Sequence, residues 1–422
     1  MKTDLKNELK LVLFTSVMGG VCALVFWLFL LGVKEGTAFI WEVLPEMSGI
    51  NRFGLYPLII CTVGGLVIGV FRKAFGDYPE DMMTVFGTFK RTGTYPYRKM
   101  LILIIAALLP LIIGSSVGPE AGMVGIIMAL CCFTGNSVKF AKERAKEYSQ
   151  IGMAATLSVM FRSPLFGFFE GQEMAGGEVQ PERSGDKSND SKALYCIAVG
   201  AGFGCFYLLN RIFKASEGFP SFDVISPGRA DYVLSVLYLI CGVALGIFFE
   251  YSEMLFKKMG EKVPGILSEM LAGAVLGIFA CILPVVKFSG EEQMAVLISD
   301  YAVYAPAAMI GIAFLKVVLT NMCIQLGLKG GHFFPLIFSA VCLGYGIALL
   351  LFPGDGSHAT FAAAVVAAGT LGVTMKKPLA VSMLLLLCFP VRSLLWIVPA
   401  SAIASLVGNH LGEFKSTDMG GK

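Results

Sequence analysis

Apolar residues come in long runs. Stretches at about residues 11–33, 55–71, 100–113, 194–210, 232–250, 265–286, 307–325, 335–352 and 360–410 are nearly free of charge, and a helix needs roughly 20 apolar residues to cross a bilayer. Allowing for tilted and broken segments, the pattern predicts an all-α polytopic membrane protein with ten or more membrane-embedded helices. The first run continues through "CALVFWLFLLGV" without a small-residue cleavage site, which predicts a retained helix and not a signal peptide. One long polar stretch, "GGEVQPERSGDKSNDSKA" at 176–193, combines turn formers with charges of both signs and reads as an exposed linker. It predicts a first transmembrane half at 1–175, a second at 194–411 and a short tail at 412–422 with no appended cytoplasmic domain. Two such halves are the layout expected of an internally duplicated transporter.

Composition narrows the class. The chain is 56% hydrophobic and 15% charged, against about 25% charged in soluble domains. Its net charge of +3 implies neither a nucleic-acid nor an acidic partner, so the basic residues matter by position. Lys2, Lys6 and Lys10 precede the first run, and Arg72, Lys73, Lys90, Arg91, Arg98 and Lys99 crowd the second loop, while loop 34–54 carries more acids. By the positive-inside rule the N-terminus and loop 72–99 face the cytoplasm. The eleven cysteines lie scattered through apolar runs without CxxC spacing, and there are three histidines. That usage predicts buried apolar thiols and no metal site or other cofactor.

Candidate chemistry sits at two interruptions. "GSSVGPEAG" at 114–122 and "GLKGGHFFP" at 327–335 each insert glycine and proline between membrane segments, where backbone that leaves the helix must be satisfied by protein or by water in a cavity. Paired breaks point to a substrate site near the midplane, although two unrelated turns would look similar. Two helix N-termini aimed at each other would favour a small anion without any lysine, and Gly118-Pro119 suits a helix start. Half-helix C-termini would favour a cation instead. Glu120 has two readings: a gate or proton carrier in the path, or a first-turn acid that complements the helix dipole. His332 reads as a pH-dependent gate or as an interfacial histidine. Lys329 and Arg392 would add positive potential to the path or snorkel at helix ends.

These elements resemble the CLC family of chloride channels and transporters. "SVGPEAG" is similar to the family's glutamate-bearing "GREGP" motif, and "GGHFFP" at 330–335 to its "GxFxP" element, with Gly331, Phe333 and Pro335 at the defining positions. "FRSPLFGFFEGQE" at 161–173 resembles the stretch after the first motif, and "KKPLAVSMLL" at 376–385 a later "APLxGxxL" segment. The resemblance implies inverted-repeat halves, a homodimer with one pore per subunit, and cytoplasmic termini in a bacterial inner membrane, with lipid and a small inorganic anion, chloride first, as partners.

The departures from the family pattern carry as much meaning. The family's gating glutamate falls on Val117, its chloride-coordinating serine on Gly76 within "FGDYP", and its C-terminal tyrosine has no counterpart in "CFPVRSLL". Its paired acids fall on Glu173 and Met174, the second being the internal proton-transfer position. Such a chain looks like a divergent branch, close to bacterial ion-transport homologues that carry "GPE". The matched positions imply passive, uncoupled anion transport through Gly76, Val117, Gly118, Pro119, Glu120, Gly331, His332, Phe333, Phe334 and Pro335, with Val117 and Phe333 narrowing the path. A proton-coupled chloride or fluoride exchanger is the alternative, were Glu120, Glu170 or Glu173 to carry protons. A non-conducting membrane protein is the second alternative. No nucleophile-base or metal cluster near the breaks suggests an enzyme.

Overall fold

The computed structural model describes residues 2–49, 54–137, 145–161, 163–167, 187–213, 220–222, 227–263, 265–300 and 303–419. Among these the chain is helical between turns, and its one β-type contact is an isolated backbone bridge. Among the described residues nine helices are long and apolar enough to cross a membrane, and two shorter apolar helices, Glu120–Thr134 and Gln150–Met160, accompany them. That agrees with the expected polytopic helical class. The run at 360–410 resolves into three helices because Lys376 adopts a left-handed conformation before Pro378, and Pro390 precedes a further turn.

Two compact units are formed. The first contains residues 1–42, 75–112 and 119–217. Its helices are α1 (Lys2–Ala38), α4 (Met82–Thr92), α5 (Met100–Ile112), α6 (Glu120–Ser137), α7 (Ala145–Met160) and α8 (Lys187–Phe213). Helix α8 therefore begins inside the polar stretch 176–193, of which residues 176–186 lie outside the described residues. Side chains with a polar tip tie this unit where apolar packing cannot orient it: Trp27 Nε1 donates to Asn210 Oδ1 at 3.0 Å, and Trp41 Nε1 donates to the Ile112 carbonyl at 3.0 Å. Helix α4 starts where Asp81 accepts from the Thr84 amide at 2.9 Å and stops at the left-handed Gly93.

The second unit contains residues 43–74, 113–118 and 218–422. After the short α2 (Leu44–Ser48) come α3 (Tyr56–Phe75), α9 (Arg229–Gly260), α10 (Gly265–Ile282), α11 (Glu291–Ser299), α12 (Pro306–Gln325), α13 (Phe333–Leu351), α14 (Ala359–Met375), α15 (Pro378–Leu385) and α16 (Leu394–Met419). Lipid supplies no hydrophobic drive between helices, so small residues that admit close backbone approach decide who packs on whom. Helix α14, "ATFAAAVVAAGTLGVTM", is built of them. A side chain at Gly242 or Gly246 of α9 would run into the α14 backbone at Val366 or Thr370, and one at Gly344 of α13 into the backbone at Ala362 and Ala363. Helices α13 and α14 are consequently the most enclosed spans among the described residues.

Candidate functional site

Both interruptions lie in the second unit up to Gly118 on one side and through α13 on the other. The first, residues 113–118, leaves helical geometry at Gly114, whose φ of +86° suits glycine. It is held from outside itself. The Gly114 carbonyl accepts from the Phe288 amide at 3.2 Å, the Ile113 carbonyl accepts from the Cys61 thiol at 3.5 Å, and the Ser116 hydroxyl shares a 3.0 Å hydrogen bond with the Thr320 hydroxyl of α12. Ser115, Ser116 and Val117 are wholly buried. The Ser115 hydroxyl has no hydrogen-bond partner among the described residues, an expensive arrangement for an interior hydroxyl unless a ligand or water completes it.

The second interruption follows directly from α12. Its turn is local: the amides of Leu326 and Leu328 donate to the carbonyls of Met322 and Cys323 at 2.9 and 2.8 Å. Gly327 then adopts a φ of +107° in a place where any side chain would overlap the Arg72 guanidinium and the Glu269 carboxylate, which pair with each other. Gly330 abuts Val117 so closely that a Cβ there would overlap the valine methyl. Helix α13 begins at Phe333, with Pro335 in its first turn and the Leu336 amide donating to the His332 carbonyl at 3.0 Å.

The two breaks meet backbone to backbone. The Gly118 amide donates to the Gly331 carbonyl and the Gly331 amide to the Gly118 carbonyl, each at 2.7 Å, which makes an antiparallel bridge. Glycine at both positions permits the approach, and the bridge satisfies four buried polar groups of non-helical backbone. It also has a chemical consequence. The amides of Gly118 and Gly331 are engaged with each other, so they do not serve as the donors to an anion that two opposed helix starts first suggest.

The sequence matches the voltage gated chloride channel family over residues 58–409, which includes both breaks and the bridge. The chain belongs to that family. Among relatives, chloride channel protein CLC-e of Arabidopsis thaliana is 25% identical over 73% of this chain; the alignment spans 45% of that longer protein. The voltage-gated ClC-type chloride channel ClcB of Shigella flexneri is 24% identical over 72% of this chain and 71% of its own length. The YfeO protein of Escherichia coli is 23% identical over 72% and 71%. In fold, the chain resembles a slow cyanobacterial Cl−/H+ antiporter, with a TM-score of 0.75 at 17% identity over 94% of this chain and 95% of that one. A CLC-type fluoride/proton antiporter gives 0.72 at 19% identity over 94% and 95%. The resemblance read from the motifs is thus the right family and the right fold.

Within this CLC chain the residues singled out from sequence fall in several surroundings. Val117, Gly118 and Gly331 are at the bridge, and Phe333, Phe334 and Pro335 form the buried first turn of α13. His332 is half-buried, its ring 5.2 Å from that of Phe249 and 4.5 Å from that of Phe333. Pro119 and Glu120 follow Gly118 directly and open α6 in the first unit, where Glu120 is 1% exposed. Gly76, also in the first unit, is exposed, with a φ of +110° and its carbonyl accepting from the Tyr78 amide at 2.9 Å. Lys329 is half-buried, whereas Arg392 is exposed on a short turn, Val391–Ser393. Glu170 and Glu173 lie outside the described residues.

Four polar residues at the breaks escaped the motif reading. Ser115 and Ser116 were visible only as part of "GSSVG", and Thr320 looks like an ordinary member of a span. Lys316 is the larger omission, because a lysine in the middle of "AFLKVVL" is an intramembrane charge and on that ground alone a functional candidate.

Proposed function

We propose that the protein carries small monovalent anions, chloride foremost, across the bacterial inner membrane as an uncoupled CLC-type pathway. The observation that carries this reading is Val117, an apolar and wholly buried residue beside the bridge at the position where the family resemblance puts a gating carboxylate. Without a titratable group there, proton movement has no obvious carrier to pair with the anion. The anion is served by the Ser115 hydroxyl and by the amides and partial positive charge of the α13 start, while Val117 and Phe333 narrow the route. The Phe334-Pro335 turn completes the proposed path, and Lys329 contributes positive potential. The same reading includes two inverted halves, a homodimer with a path in each subunit, surrounding lipid and cytoplasmic termini.

Proton-coupled exchange is a second reading, favoured by Glu120. This carboxylate is almost completely enclosed at the start of α6, three residues beyond Val117, and the two fold neighbours above are proton antiporters. Efflux from liposomes holding the purified protein separates the two, with chloride, nitrate and fluoride compared under an imposed proton gradient. Anion release without proton movement supports the uncoupled pathway. Proton uptake driven by anion release, lost in Glu120→Gln, would establish exchange, and no flux of any anion would overturn both.

A further inference from the structure

Lys316 lies near the middle of α12 and is wholly buried. Its ammonium donates to three consecutive backbone carbonyls, those of Val286, Lys287 and Phe288, at 2.9, 3.1 and 2.6 Å. The Phe338 ring of α13 lies beneath it, 5.7 Å from Nζ to the centroid. No carboxylate among the described residues pairs with it. A lysine that faces three neutral carbonyls has no counter-charge among the described residues, and a charge placed so inside a membrane is costly unless it has a use.

The carbonyls it gathers belong to the segment that holds the first break. Phe288, with a φ of +59°, gives its carbonyl to Lys316 and its amide to the Gly114 carbonyl. The left-handed Gly290 lets this segment lie against Phe338, where a Cβ would come within 2.7 Å of the Phe338 side chain. One turn along α12 from Lys316, Thr320 bonds Ser116 of the same break. Residues i and i+4 of one helix share a face, so a single stripe of α12 bonds the first break directly through Thr320 and holds its support at 286–288 through Lys316, while its C-terminal end leads into the second break.

We propose that Lys316 is the positioning residue of the anion path and a source of positive potential beside it. It orders the 286–288 segment that fastens the first break opposite Gly331, and its field favours an anion there over a cation. This rests on the anion-transport reading above for its electrostatic half, whereas the ordering half stands independently of transport.

The test uses the full chain and two variants, Lys316→Met, which removes donors and charge, and Lys316→Gln, which keeps donors without charge. Hydrogen exchange in detergent reports the ordering. Exchange at 113–118 and 286–288 should rise by about ten-fold or more in Lys316→Met, with α14 unchanged, and by less in Lys316→Gln, since one buried charged donor set has been replaced by a neutral one. Chloride-dependent flux in liposomes reports the charge. The half-saturating chloride concentration should rise about ten-fold in both variants, with the maximal rate less affected. Unchanged exchange and unchanged half-saturation in a folded variant would overturn the proposal. If Lys316→Met does not fold, Lys316→Gln gives both readouts. A wild-type protein that moves no anion would sink the transport reading, and the exchange result would still decide whether Lys316 fastens the break.

Discussion

The two breaks do the same geometric job by different means. The turn of the second is local: it continues α12 and closes on hydrogen bonds of short sequence separation, while Gly327 and Gly330 leave room for Arg72, Glu269 and Val117, which approach from elsewhere in the chain. The first has little of its own. Apart from the 2.8 Å bond between the Val117 amide and the Ser115 carbonyl, it is fixed by Phe288, Thr320, Cys61 and Gly331, all distant in sequence. A locally determined turn tolerates little change at its glycines. A remotely fastened one should instead respond to substitutions that never touch it.

That contrast can be broken experimentally. The largest effect is expected for Gly327→Val, which places a β-branched residue at positive φ and drives it into the Arg72–Glu269 pair. A loss of about 3 kcal/mol or more should appear as aggregation in size-exclusion chromatography or as a collapsed melting temperature; a variant as stable as wild type would mean the second break is not locally fixed. Gly330→Ala should cost about 1–3 kcal/mol by overpacking against Val117. Most of that loss should return in the double variant with Val117→Gly, and plain additivity of the two would count against the contact. Thr320→Val should cost about 1 kcal/mol and loosen exchange at the first break alone. Equal loosening at both breaks would erase the distinction. Ser115→Ala should leave stability within about 0.5 kcal/mol, because the hydroxyl has no partner to lose among the described residues. Its expected signature is a shift of a few-fold in anion selectivity in liposome flux, and an unchanged order would remove Ser115 from the path.

Legibility followed the same division. Runs of apolar residues announced the membrane helices, because a bilayer imposes length and composition on each span separately. The second break was readable from "GLKGGHFFP" since glycine and proline act on their own backbone. Pairing of Gly118 with Gly331 was foreseeable only as two helix starts facing each other; that their amides would be spent on each other depends on register, which no local pattern encodes. Lys316 is visible in the sequence as a lone charge inside the apolar run "AFLKVVL". Its partners were beyond reach, because three bare carbonyls carry no sequence signal. The long run at 360–410 hid two chain breaks because leucine and alanine surround them, although Lys376-Lys377-Pro378 and Pro390 marked the places.

Helix α12 has one more consequence, for how the molecule can vary. A helix advances about 1.5 Å and turns about 100° per residue, so it behaves as a ruler graduated in both distance and direction. Lys316 and Thr320 are two marks on it, one turn apart, Gly331 follows just beyond its end, and the bridge to Gly118 closes the measurement. A single residue gained or lost between Thr320 and Gln325 would turn the chain that enters the second break by about 100°, more than a quarter of a revolution, away from the face that reaches the first.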